Sequence, residues 1–83
     1  VAFLIEVAET TLARDRGDKL AAYARGGIPV YWIVNLVDRQ IEVYTSPGPN
    51  GYASRLDFVA GQLVPVVIDG VEVGQLAVSD ILP

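Results

Sequence analysis

From Val1 to Ala8 the chain is apolar at every position but one, and the exception is Glu6. The run Val1-Ala2-Phe3-Leu4-Ile5-Glu6-Val7-Ala8 has strand composition with little alternation, which predicts a strand over 2–8 covered on both faces. Residues 9–14 read as a polar connector. A helix is expected from Asp15, with Asp15 as its N-cap and Asp18 adding a second carboxylate near the positive end of the helix dipole. Leu20, Tyr23 and Ala24 supply its apolar stripe, Gly26-Gly27 its stop, and Pro29 bars resumption. Residues 30–36 form the next strand, with Val30, Trp32, Val34 and Leu36 on one face and Tyr31, Ile33 and Asn35 on the other. Strand, helix and strand with short links make a βαβ unit, whose two strands should run parallel with a right-handed crossover.

Past that unit the pattern changes to period two. Val37-Asp38-Arg39 turns the chain, and in residues 40–45 Ile41 and Val43 alternate with Gln40, Glu42 and Tyr44, as an antiparallel hairpin partner would. Ser46 to Gly51 holds two prolines and two glycines and is expected to be a loop. Tyr52 to Val59 reads as a strand. Gln62 to Ile68 and Gly70 to Val73 read as short strands broken by a tight turn at Asp69-Gly70. Ser79 is placed to cap a last helical turn through Leu82. The fold class that emerges is α/β, an α+β mixed sheet: a βαβ unit, an antiparallel hairpin and short C-terminal strands.

At 83 residues the chain is expected to be one small domain, 1–83, burying only about 60% of its unfolded surface. The hydrophobic share of 52% points to a compact core or to apolar surface meant for a neighbour, and a homo-oligomer, a dimer, is expected. The chain opens on Val in strand-like sequence and has no Met, which reads as a chain lacking its N-terminal part. On that reading the first strand has lost a neighbour, and its edge should pair with something. The absence of Cys and His removes disulfides, Ser-His-Asp chemistry and the usual zinc sites. Oxygen ligands remain, and they favour magnesium, manganese or calcium. A net charge of −4 argues against a strong non-specific hold on nucleic acid. No apolar run approaches a membrane span and no signal peptide is visible, so a soluble cytoplasmic protein is expected.

Candidate chemistry centres on Glu6, because a strand carboxylate amid apolar neighbours is costly unless paired. It lies near the carboxyl end of a strand that starts a βαβ unit, where sites form in such folds. Asp15, Lys19 and Tyr23 are spaced by four and share one helix face. The plain reading is an Asp15–Lys19 surface pair worth about 0.3–0.5 kcal/mol. The sharper one has Lys19 leaning over the strand toward Glu6, where an ammonium could orient a metal-bound water and offset developing negative charge. Glu9, Asp15 and Tyr23 are candidates for an outer layer around that pair, with Asp15 serving as a cap first. Arg16 could hold Glu9 or Asp15, or a phosphate, and the structural pairing is preferred. Tyr23, Tyr31 and Trp32 read as core, and Tyr44 and Tyr52 as partly exposed. Gly48-Pro49-Asn50-Gly51 lacks the strand-to-helix setting of a phosphate loop and reads as a turn.

Four blocks in order carry a resemblance: Leu4-Ile5-Glu6-Val7-Ala8-Glu9-Thr10-Thr11, Asp15-Arg16-Gly17-Asp18-Lys19-Leu20, Tyr23-Ala24-Arg25-Gly26-Gly27-Ile28-Pro29 and Tyr31-Trp32-Ile33-Val34. In these the chain resembles the Uma-type family of putative restriction endonucleases, a bacterial domain of otherwise unassigned function similar to the PD-(D/E)XK nucleases. The resemblance implies a restriction-endonuclease-like core of which this chain is the C-terminal part, and magnesium- or manganese-dependent phosphodiester hydrolysis. It implies Glu6 as the strand acid and a metal ligand, the Val7 backbone carbonyl as a further ligand, and Lys19 as the catalytic cation. The usual lysine position, two residues after the acid, is Ala8 here. The upstream Asp would precede Val1, and Val30 and Asn35 stand where the family commonly has Glu and often has Asp. On those departures the chain alone is expected to be inactive or nearly so. The competing expectation is a non-catalytic interaction or assembly module on a nuclease-like scaffold.

Overall fold

The computed structural model describes residues 3–10 and 12–83, with the backbone alone for Leu12 and Asp15. Strand β1 (Phe3–Ala8) lies parallel to β2 (Val30–Asn35), and the crossover between them carries α1 (Leu12–Arg16) and α2 (Asp18–Arg25). Strands β3 (Gln40–Gly48) and β4 (Gly51–Val59) add antiparallel, giving a mixed sheet in the order β1-β2-β3-β4. A second, two-stranded antiparallel sheet pairs β5 (Leu63–Ile68) with β6 (Val71–Ala77), and α3 (Val78–Ile81) follows. The fold is mixed α+β, dominated by sheet. Among the described residues no helix is long and apolar enough to cross a membrane.

The alternation along β2 sorts its residues between two cores. Val30, Trp32 and Val34 pack with Ile41 and Val43 against Val64 of β5, Val78 of α3 and Leu82. Tyr31 and Ile33 face the helices, packed with Ala8, Tyr44, Leu20 and Tyr23. All six β2 residues are buried because β2 is central and covered on both sides. Strand β1 is not: Ile5 and Val7 are 49% and 61% exposed, on the face the small sheet leaves open. The apolar run around Glu6 therefore does not report two-sided burial. It reports one covered face and one open apolar face; Leu56 of β4, 58% exposed, ends the same row Ile5–Trp32–Val43–Leu56, beyond the buried Trp32 and Val43.

The turn chemistry sets most boundaries. Gly27, at φ +75°, ends α2: its N–H bonds the Ala24 carbonyl at 3.0 Å while the Ile28 N–H reaches back to Tyr23 at 3.1 Å, a Schellman closure. Asp69 and Gly70 both have positive φ and close the β5–β6 hairpin at the position the sequence indicated. Four expectations change. Helix begins at Leu12, because Leu, Ala and Arg are good helix formers; the backbone of Asp15 lies inside α1 rather than ahead of it, and its side chain, with any cap or outer-layer role, lies outside the described residues. The helical segment is split at Gly17. The predicted loop 46–51 shrinks to Pro49-Asn50, since Pro47 still pairs with Tyr52 and Gly48 with Gly51. Past Thr45 no β2 residue remains opposite β3, so that end needs partners on one side only, where proline is tolerated. Strand β6 runs on to Ala77, and α3 starts with Ala77 as its N-cap and no side-chain cap bond, so Ser79 sits inside the turn and does not cap it.

Candidate active site

Glu6 is on the helix-facing side of β1, opposite Ile33. Two α2 side chains descend onto it from successive turns. The Lys19 ammonium lies 3.7 Å from Oε2, and the Tyr23 hydroxyl donates to Oε1 at 3.0 Å. The spacing of four between Lys19 and Tyr23 makes this possible, because it stacks both on the α2 face above the sheet. Tyr23 is held by its ring, edge-on to Tyr31 at 5.1 Å between centroids. The side chains of Glu6 and Lys19 are 28% and 36% exposed, so the pair is open to a solute as well as to protein.

The remaining sequence candidates are placed differently. Glu9 is exposed in the bend after β1, and among the described residues no hydrogen bond or ion pair joins it to Glu6. The Val7 side chain is on the opposite face. Its carbonyl points away from β2, because the carbonyl of Ala8 accepts the Leu36 N–H at 2.9 Å and successive residues of a strand alternate sides. It therefore faces the edge of β1 that no described strand occupies. Among the described residues no group of three or more acidic, His or Cys side chains could hold a metal ion. One carboxylate whose two oxygens already meet Lys19 and Tyr23 is too few donors for a hard divalent cation, so the described residues do not by themselves fit one.

Sequence reasoning missed a second carboxylate. Glu42 of β3 is fully buried and follows Glu6 and Ile33 in the same cross-strand row, which Asp57 of β4 continues. Arg16, the last residue of α1, grips it bidentately through Nε to Oε1 at 3.0 Å and Nη2 to Oε2. Tyr44 donates its hydroxyl at 2.7 Å, Asn35 its amide at 2.8 Å and Gln40 its amide at 3.1 Å. Arg55 of β4 approaches to 3.5 Å while also holding Asp57 at 2.9 Å. Burial pushes the Glu42 carboxyl up, but the bonds from Arg16, Tyr44, Asn35 and Gln40 outweigh it and hold the group at about 2. The same contacts raise Arg16, chiefly through its bond to Glu42, and raise Tyr44, through burial and then that carboxylate.

Arg16 is thus in a structural ion pair, but with Glu42, a partner the sequence did not indicate, and Tyr44 is buried and not partly exposed. The clue to Glu42 lay in the alternation Gln40-Glu42-Tyr44. That face is polar, which suggests solvent, yet the register sets it against Asn35, Ile33 and Tyr31 under the helix layer. Asn35 completes the cluster: its amide donates to both Glu42 and Asp38, and its carbonyl accepts the Asp38 N–H, so it also fixes the β2–β3 turn.

The model of the Uma2 family, described as putative restriction endonuclease, matches residues 1–79. No curated protein and no solved structure matches the chain.

Proposed function

The chain belongs to the Uma2 family of putative restriction endonucleases, and from that premise we propose that it carries part of a phosphodiester-hydrolysing site, with Glu6 and Lys19 as its reacting groups. The family supports a nuclease-like function and suggests use of a divalent metal ion; magnesium or manganese is the ion we propose to supply. The observation that carries the reading is the 3.7 Å approach of the Lys19 ammonium to Glu6 on an accessible surface. In this role the Lys19 ammonium offsets the negative charge that builds on a phosphoryl group under attack. Glu6 orients the attacking water, and Tyr23, which donates to the other oxygen, keeps the carboxylate turned toward Lys19. The described residues do not complete a metal site, so no step is assigned to the ion.

The test is nuclease activity of the natural protein on single- and double-stranded DNA and on RNA, with magnesium or manganese. Glu6→Gln and Lys19→Met should each abolish cleavage while leaving folding intact. Cleavage at the parental rate in both variants rejects the assignment.

One feature favours the second reading, an assembly module. Ile5 and Val7 of β1 form an exposed apolar pair on the sheet face away from the site. Light scattering decides it: a stable oligomer that dissociates on Val7→Lys, together with no metal-dependent change in Tm, supports assembly over catalysis. Bound metal at 100 times its Kd would add about 2.7 kcal/mol and be visible.

A further inference from the structure

We infer that the buried Arg16–Glu42 pair is the device that positions Lys19 over Glu6. Glu6 and Glu42 stand in one cross-strand row with Ile33 between them, two strand spacings or roughly 10 Å apart. The two cations that meet them, Lys19 and Arg16, are three residues apart in the chain, on either side of Gly17. The backbone is hydrogen-bonded through that corner: the Gly17 N–H bonds Ala13 at 2.9 Å and the Gly17 carbonyl accepts from Ala21 at 3.1 Å. A Cβ at Gly17 would meet the Ala13 oxygen at 2.9 Å, so the corner excludes a side chain at that position. The helix pair therefore meets both carboxylates of the row, Arg16 at Glu42 and Lys19 with Tyr23 at Glu6.

The two ends are unequal. The Lys19–Glu6 contact is long and lies between partly exposed groups, the kind that contributes little by itself, and Tyr23 adds one hydrogen bond to the same carboxylate. Arg16 instead uses two donors on a carboxylate that Tyr44, Asn35 and Gln40 also hold. The rigid anchor is at Glu42, and the position it imposes reaches Lys19 through one turn of backbone. Among the described residues no hydrogen bond or ion pair joins Arg16 or Glu42 to Glu6, so they are positioning residues. The catalytic meaning of this rests on the function proposed above; the geometric claim does not.

Lys19 is the chain's one lysine, which makes a direct measurement possible. A carbodiimide joins a carboxylate to an amine in contact with it, and mass spectrometry quantifies the Glu6–Lys19 link. The parental protein should form it. Arg16→Met should lower the yield several-fold while circular dichroism and Trp32 fluorescence stay native, and Arg16→Lys, which keeps the charge but not the fork, should fall between. Arg55→Met removes the other arginine beside Glu42 without touching the helix and should leave the yield unchanged. An unaltered yield in folded Arg16→Lys or Arg16→Met overturns the inference, as does an equal fall in Arg55→Met. Should Arg16→Met not fold, Arg16→Lys and Arg55→Met still decide. Absence of nuclease activity with the expected crosslinking pattern would reject the functional reading and leave the positioning claim standing.

Discussion

Replacing Glu42 with Gln should remove an acid-sensitive part of this protein's stability. The carboxyl titrates near 4.5 when exposed and at about 2 in the folded chain. A depressed pKa means that the folded state favours the ionised form. The contribution is therefore complete above the unfolded value and is lost as pH falls toward the folded one. At about 1.4 kcal/mol per unit the difference amounts to about 3 kcal/mol at neutral pH. That is a large share of the roughly 5–15 kcal/mol that holds a typical domain. Glutamine keeps the shape and one acceptor but cannot draw Arg16 and Arg55 electrostatically. Urea unfolding followed by Trp32 fluorescence, from neutral pH down to about pH 3, measures the effect. The gap between parent and variant should be near 3 kcal/mol at neutral pH and still close to that at about pH 5. By about pH 3 more than half of it should be gone. Stability curves that stay parallel over this range would show that the buried carboxylate is not held ionised by its neighbours, and the account of the cluster would fail.

Three further outcomes follow from the packing. Gly27→Ala puts a side chain at φ +75° with nothing within 4 Å of its Cβ, so the cost is backbone strain alone, about 1–2 kcal/mol, read as a lower Tm; an unchanged Tm contradicts the Schellman closure. Ile33→Ala, at a site with no exposure, should cost about 2–5 kcal/mol in chemical denaturation, whereas Leu56→Ala, 58% exposed, should stay within about 0.5 kcal/mol. Equal losses would mean that the open apolar face is covered in solution. Tyr23→Phe keeps the ring against Tyr31 and removes only the hydroxyl on Glu6, so it should cost about 1 kcal/mol; a loss as large as that of Ile33→Ala would place the tyrosine in the core rather than at the carboxylate.

The sequence by itself determined the local grammar of this protein. Period-two alternation assigned Val30, Trp32 and Val34 to one face and Tyr31 and Ile33 to the other. Positive-φ residues at Gly27 and Asp69-Gly70 stopped a helix and closed a hairpin where their chemistry requires it. The four-residue spacing of Lys19 and Tyr23 placed both on one helix face, and the βαβ connection brought that face above Glu6. These features are legible because each depends on residues near one another in the chain, or on one short connection. Only the tertiary structure decided which polar strand face would be sealed. Glu42 looks like a solvent-facing residue until β3 pairs with β2 and α1 lowers Arg16 onto it from 26 positions away. The open side of β1 has the same origin, since an apolar run records what a strand could bury, while cover arrives from β5 and α3, which reach only part of that face.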